Sequence, residues 1–407
     1  MTTTPARLGE IRFRLETAAN EAIADPVTYW ANAAAKKIKA WDVDTSQLKK
    51  ASEDDPHLQT HVGGDPARLQ LGKSGALPFT CFLSGLEVAA ADGITVLQDE
   101  LGLLLKGALG GESLATSTLV ATGNTGIGAT TPIQVDNASG LVAGDGVRIN
   151  GEMRRVTAVD VGVSPDTITL DMDLLAAPTA GTLVAAAATY YLDESALVDL
   201  DDAGHLTFSA LFRGYHSEDQ WQARGSFFQI AIADLGPNQI PKLQVQAHCQ
   251  DWDLVTGVAV GAAFTEQAPP AQLNNGLYMR PSGTVTRNIH HTKTVSVDLG
   301  LTPEALMSPV GENGIHGHAV FGGRTALTFD ALYDADWNIW YESRQKMFGG
   351  YQIGTAILLS FPALYLDESP ARGREGATSA NVKLHADNGS GSGDQAISRI
   401  AIHRFGT

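Results

Sequence analysis

Gly72-Lys73-Ser74 carries the residue types that close a phosphate-binding loop, where backbone N–H groups and a lysine cradle a nucleotide. That motif needs a glycine five residues before Gly72, and Ala67 stands there, on a segment that does not read as a buried strand. An ordinary turn leading into a strand is predicted instead. Gly126-Ile127-Gly128 and Gly144-Asp145-Gly146 lack the third glycine of a dinucleotide fingerprint and open no helix, so both read as β turns. His316-Gly317-His318 puts two imidazoles on one side of an extended chain, with His290-His291 upstream. Zinc needs a third ligand at recognisable spacing, and none is present; these read as loop and strand-surface histidines. Asp171-Met172-Asp173, Asp251-Trp252-Asp253 and Asp334-Ala335-Asp336 are acidic pairs without the glycine and bidentate glutamate of a calcium loop. No serine sits in a nucleophile-elbow context, and Cys81 and Cys249 have no local signature of a catalytic thiol. No residue is therefore assigned a catalytic, cofactor-binding or metal role, no cofactor is implied, and the chain is expected not to be an enzyme.

The elements that would have to position such groups are mostly strands. Strict alternation recurs: Leu77, Phe79, Cys81 and Leu83 in Ala76–Leu83; Leu206, Phe208 and Ala210 in Gly204–Ala210; Leu243, Val245, Ala247 and Cys249 against Gln244, Gln246, His248 and Gln250. Val295, Val297 and Leu299 alternate with Thr294, Ser296 and Asp298, and Val382, Leu384 and Ala386 with Lys383 and His385. Such alternation predicts sheets with one buried and one wet face. The 43 glycines among 407 residues fit a turn-rich β chain. Three helices are predicted. One runs from Asp25-Pro26 to Trp41, with Trp30, Ala34, Ile38 and Trp41 at helical steps. One covers Thr95 to Leu109, stopped by Gly110-Gly111. One covers Trp337 to Phe348.

Residues 117–192 differ in texture: rich in Thr, Ala, Gly and Val, and poor in aromatics until Tyr190-Tyr191. Asn150-Gly151 between Val147-Arg148-Ile149 and Met153-Arg154-Arg155-Val156 is a hairpin signal, and Val135, Val147, Val156, Ile168 and Val184 mark short strands. A small all-β module inserted after the leucine helix is predicted. Gly389–Gly393 reads as a flexible loop between two C-terminal strands.

The balance of 28 basic and 45 acidic residues, −17 in all, argues against wrapping nucleic acid or docking on anionic membrane. The segment Met1–Arg14 lacks the apolar core of a secretory signal peptide, no stretch reaches the length of a membrane span, and two cysteines suit a reducing compartment. These features predict a chain made and used without crossing a membrane.

The order of the pieces carries a resemblance. "GKSGALPFTCFLSG" is followed by the helix "LQDELGLLLKGALGG", and after the insertion come "LTFSALFRGYHSEDQWQARGSFFQI" and "IPKLQVQAHCQDWDL". The marks are Leu109-Gly110-Gly111 closing the helix, Gln222–Phe227 feeding a strand, and the Pro-led strand Pro241–Cys249. This arrangement resembles the tail tube proteins (major tail proteins) of long-tailed bacteriophages. The second half is similar more loosely, through "TKTVSVDLG", "HAVFGGRTALTFDA", the Trp337 helix and "YQIGTAILLSFPALYLDE". The insert "IQVDNASGLVAGDGVRINGEMRRVTAVD" is similar to small β modules carried by phage structural proteins.

The resemblance implies a mainly β fold of tandem tail-tube-type β-sandwich or split-barrel domains with flanking α-helices. Residues 1–116 plus 193–262 would form the first domain with an N-terminal helical arm, 117–192 the inserted module projecting outward, and 263–407 the second domain. It also implies a virion protein assembled in the bacterial cytoplasm, whose rings stack into a tube that passes DNA. Three chains make a pseudo-sixfold ring if the halves are a duplication, and six if one half forms the tube. Tail terminator, tape measure and baseplate proteins are the implied partners. The net charge suggests an acidic channel wall, and the insert suggests a non-contractile tail. A baseplate hub or distal tail protein of the same fold, a non-phage β-rich surface protein and a β-sandwich hydrolase are the alternatives.

Overall fold

A computed structural model describes residues 9–17, 22–32, 35–44, 46–55, 67–86, 99–115, 119–122, 126–197, 207–213, 220–235, 239–258, 276–281, 287–289, 295–307, 315–332, 336–369, 379–391 and 393–406. In chain order come β1 (Gly9–Leu15), α1 (Pro26–Ala31), β2 (Lys36–Ala40), β3 (Lys49–Asp55), β4 (Ala67–Phe82), α2 (Glu100–Leu109) and β5 (Gly110–Leu114). Next are β6 (Leu119–Val120), β7 (Ile133–Val135), β8 (Gly146–Ile149), β9 (Glu152–Asp160), β10 (Asp166–Leu170) and β11 (Leu183–Ala186). Then follow β12 (Ala188–Leu192), α3 (Glu194–Leu197), β13 (Phe208–Arg213), β14 (Gln220–Ala233), β15 (Lys242–Cys249) and β16 (Asp251–Val255). The second half holds β17 (Gly276–Pro281), β18 (Arg287–Ile289), β19 (Ser296–Asp298), β20 (Leu301–Met307), β21 (Ile315–Gly322) and β22 (Thr325–Leu332). It ends with α4 (Asp336–Glu342), β23 (Met347–Ile353), β24 (Ile357–Leu366), β25 (Ser379–Ala386), α5 (Asp394–Ile397) and β26 (Ala401–Arg404). The fold is mainly β, with short helices laid on large antiparallel sheets.

One sheet runs through both halves. Its spine is β4–β15–β14–β19–β22–β25–β24, every neighbouring pair antiparallel. The seam between halves is β14 against β19, where Ala231 faces Asp298 and Ile232 faces Val297. Beneath it lies one hydrophobic core that takes Phe79, Phe228 and Val245 from the first half and Leu327, Phe361 and Ile402 from the second. Helix α2 closes this core. Asp99 caps its start by accepting from Gly102 N at 2.7 Å, and Gly110 ends it at φ +90, a conformation that favours glycine.

A second sheet, β6–β11–β8–β9–β10–β7, has its own core of Ile133, Val135, Val147, Ile149, Val156, Ile168 and Val184. The hairpin turn is Asn150-Gly151, both at positive φ (52° and 82°), as a tight two-residue turn with the twist of its strands requires. The chain enters this module from β5 and leaves it into β12, and those two strands pair directly, Leu114 opposite Ala188. Ala188–Leu192 thus belongs to the large sheet, where it also pairs with β26.

Several local expectations need correction. The helix expected over Asp25–Trp41 is confined to Pro26–Ala31, and Lys36–Ala40 is a strand. The steps of Ile38 and Ala40 also fit period two, and β1 supplies the edge that decides it, with Ile11 opposite Ile38. The Trp337–Phe348 helix ends at Glu342. Arg344 turns left-handed at φ +50, Gln345 N donates back to Trp340 O at 3.1 Å, and Met347 already starts β23. Gly72-Lys73-Ser74 is not a turn but the middle of β4, opposite Ala51, Lys50 and Lys49. Among the described side chains of β13, Ser209 and Leu211, opposite in sense to Phe208 and Ala210, are buried too: Trp30 of α1 packs with Leu211, and Ser209 bonds Glu16 and Tyr29. The glycine/serine loop does lie between β25 and β26, but Gly389 N donates to Ile397 O at 2.8 Å and the loop carries α5. Thr95–Gln98 and Gly204–Leu206 lie outside the described residues.

Candidate functional site

The residues first singled out for chemistry are dispersed. His316 and His318 lie on β21, which pairs only with β20 among the described residues, and His290-His291 lie outside them. Among the described residues, no group of three or more His, Cys, Asp or Glu is placed to hold a metal. The acidic pairs part company. Asp251 and Asp253 both face Arg224, the latter at 3.5 Å. Asp173 accepts from Ala129 N and Thr130 N at 2.9 and 3.1 Å and so shapes the Gly126–Gly128 turn, while Asp171 turns inward. Asp334 lies outside the described residues. Cys81 and Cys249 are buried on the core side of β4 and β15, and burial pushes both thiols up to about 12.

Two places remain where polar groups converge. The first is the outer face of the sheet spine. One cross-strand row reads Thr80, Gln244, Ala231, Asp298, Ala326, His385, Tyr365, each directly opposite the next. Beside it, Pro78, Gln246 and Gln229 form a second row, and Phe82 faces Lys242. The alternating partners Phe79, Val245, Ile230 and Val297 point into the core, and on the opposite face Gln244, Asp298 and Lys383 are exposed while Ala326 and His385 are buried. A groove of about 400 Å³ runs along it, bordered by Asp42, Thr80, Gln229, Gln244, Gln246 and Asp298. Gln229 is fixed by donating from Nε2 to Leu301 O at 2.8 Å and by a 3.1 Å bond between its Oε1 and His248 Nε2. Gln229, Gln244, Gln246 and Asn381 supply amides to this face, Lys242 pairs with Asp234 at 2.8 Å, and Asp42 and Asp298 place carboxylates on the groove.

The second place is buried between the module and the large sheet. Arg155 of β9 is enclosed and donates to the carbonyls of Gln395 at 2.6 Å and Ala396 at 3.1 Å, which close the short helix α5. Asp145 accepts from Gln395 Nε2 at 2.5 Å, Ser113 Oγ at 2.8 Å and Val142 N at 2.9 Å. Arg148 donates to Thr355 O at 2.5 Å and Gly406 O at 3.0 Å, and Arg154 lies 4.8 Å from the Tyr278 ring centroid. His403 lies between two hydroxyls, with Nδ1 2.9 Å from Thr189 Oγ1 and Nε2 2.7 Å from Ser360 Oγ. A serine–imidazole contact of this length has the form of a nucleophile and its base. All three side chains are at 0 % exposure, however, so no substrate reaches them and the contact works as an anchor.

Burial sets the ionisation here. It raises Asp171 to about 6 against the pull of Arg154 and Arg155, raises Asp145, and lowers Arg155 to about 10. Burial, with Arg155 nearby, holds His403 well below its ordinary value. None of this was visible in the local pattern. His403 lies 214 positions from Thr189, and Arg155 lies 240 from Gln395; the one signal was Arg154-Arg155 set between Met153 and Val156 in a hairpin strand. Compared with known proteins, the chain matches no family model and no curated protein sequence.

Proposed function

We propose that this chain is a structural subunit whose rings stack into the hollow tail tube of a long-tailed bacteriophage, with DNA passing along the wet face of the sheet spine. The observation that carries this is the spine itself: antiparallel strands from both halves join in one sheet with the core behind it and a largely polar face in front. A tube wall needs a sheet that is apolar behind, polar in front and extensible at its edges by another copy. Three copies of a chain with tandem halves would close a pseudo-sixfold ring, and six copies would if one half forms the tube. The wall would then combine amides with the carboxylates of Asp42 and Asp298. Neutral amides offer phosphates no fixed cation to exchange for their counterions, so the cargo can slide.

Negative-stain electron microscopy of the concentrated protein tests this. Hollow tubes or stacked rings with three-fold or six-fold class averages are expected. Isolated rings that never stack would favour a hub or distal tail protein, and monomers at every concentration, with or without tail-assembly partners, would overturn the proposal.

A further inference from the structure

The contact between the inserted module and the large sheet is chiefly polar. Its apolar part is small: Met153 and Ala187 against Leu358 and Phe405. The rest is a hydrogen-bonded chain that begins on the module and ends in the body. Gly146 N, at the start of β8, donates to Thr189 Oγ1 at 3.2 Å. His403 Nδ1 shares one hydrogen with the Thr189 hydroxyl and Nε2 shares one with the Ser360 hydroxyl, so the neutral ring, with a single N–H, satisfies both contacts. The imidazole lies flush on the module, since a Cβ added to Gly146 would sit 2.6 Å from His403 Cγ. A second proton on His403 makes both ring nitrogens donors. Thr189 Oγ1 must then accept from both Gly146 and His403, and its own hydrogen loses its acceptor. The charged ring would also stand buried beside the Arg155 guanidinium.

Asp171 is the opposite case. It is 1 % exposed; Oδ1 accepts from Arg155 N at 3.0 Å, and Oδ2 has no hydrogen-bond partner among the described residues. A carboxylate left half-satisfied out of water is costly, and a proton removes that cost. The charged groups around it are Arg154 and Arg155 of β9 and Arg280 of β17, whose Nη1 donates to the Asp171 carbonyl at 3.1 Å. Asp145 acts on the same Arg155 from the approach to β8.

We propose that this junction is a proton-operated latch. It holds the module most firmly where Asp171 carries a proton and His403 does not, and it loosens in stronger acid as His403 charges and toward alkaline pH as Asp171 charges. The segments that move are those it joins: the β8–β9 hairpin with Arg148, Arg154 and Arg155 on one side, and α5 with β26 on the other.

Hydrogen exchange followed by mass spectrometry on the full chain, with the intrinsic base-catalysed rate divided out, reads the latch directly. Peptides covering residues 142–156 and 393–405 are expected to show a protection maximum below pH 6. Away from it, the opening constant should change by up to about tenfold per pH unit, the slope of one proton. Asp171→Asn should keep protection high toward alkaline pH, and His403→Gln, which preserves a donor for Ser360, should keep it high in acid. Flat protection across pH, equal loss in peptides throughout the chain, or a wild-type profile in Asp171→Asn would each overturn the latch. The wild-type profile and Asp171→Asn decide the matter even where His403→Gln does not fold.

Discussion

Arg404 and Asp99 meet as a bidentate ion pair, Nη1 and Nη2 each 2.6 Å from a different carboxylate oxygen, with both side chains buried. The pair joins the last strand to the first turn of α2, 305 positions earlier in the chain. Arg404 also donates to Ser84 O at 2.8 Å and Gly85 O at 2.7 Å, while Asp99 keeps its cap on Gly102. Arg404→Met should therefore cost about 3–5 kcal/mol, because it strands a buried carboxylate. Adding Asp99→Asn should recover part of that loss, since the neutral amide still caps the helix. Urea unfolding of the two single variants and the double variant checks this. Additive losses would mean that the two groups do not act as a pair.

Helix α2 lies so close to the sheet that it tolerates no side chain at Gly107. A Cβ there would stand 2.4 Å from Phe208 Cε2 and 3.0 Å from Phe228 Cδ2, and those rings are already in contact at 5.1 Å between centroids. Alanine gains up to about 1 kcal/mol of helix propensity over glycine, against overpacking of about 1–3 kcal/mol. Gly107→Ala should thus lower the melting temperature, and a rise would mean that the rings yield without cost.

The parts of the fold legible in the sequence are those fixed by near neighbours. Leu101, Leu104, Leu105 and Leu109 with Gly110 define α2 and its end, and Asn150-Gly151 defines the module's hairpin, because caps and turns are settled within a few residues. Leu243, Val245, Ala247 and Cys249 give β15 its buried face for the same reason. Lys36–Ala40 could not be settled this way, since its apolar steps suit a helix or a strand and the deciding edge, β1, lies more than twenty positions upstream. The His403, Arg155 and Asp171 array showed locally only as Arg154-Arg155 in the hairpin strand, because its partners come from three separate stretches of chain.

Asp171 gives global stability a sign with pH. Its folded value, about 6, lies above the ordinary 3.8, so the native state binds this proton more tightly than the unfolded chain. The contribution is fully present below 3.8 and is lost as pH rises through 6, on the order of a few kcal/mol for a shift of this size. His403 opposes it: its folded value lies below 6.5, so its contribution is present above 6.5 and is lost as pH falls. Asp171→Asn should flatten the fall in melting temperature between pH 4 and 6 relative to the native chain. An unchanged slope in calorimetry would show that Asp171 is not the group responsible.

Cys81 and Cys249 should resist alkylation in the native state. Both are free, both are enclosed, and thiols raised to about 12 carry almost no thiolate at neutral pH. Iodoacetamide labelling should track unfolding, with both sites reacting together because β4 and β15 share seven further register pairs around Leu243–Cys81. Early labelling of one cysteine in buffer would place its strand outside the cooperative unit.

The module can be excised cleanly on paper, because Leu114 and Ala188 are directly opposed and a two-residue Asn-Gly turn would join them. Covalently, then, 115–187 hangs from a hairpin tip. Energetically it does not hang free. Arg155 holds the carbonyls that close α5, Arg148 holds Thr355 and Gly406, Gln352 Nε2 donates to Gly151 O at 3.0 Å, and Thr189 needs Gly146. Removing the module leaves these body groups facing water, with Leu358 and Phe405 newly uncovered. The excised chain should keep the β5–β12 hairpin and the α2 core but lose protection in α5 and β26, and its melting temperature should fall. Protease cuts at the two connections should likewise leave the module bound until denaturant is added, because the arginine contacts outlast the peptide bonds. A module that elutes separately from a size-exclusion column straight after cutting would show that the connections alone hold it.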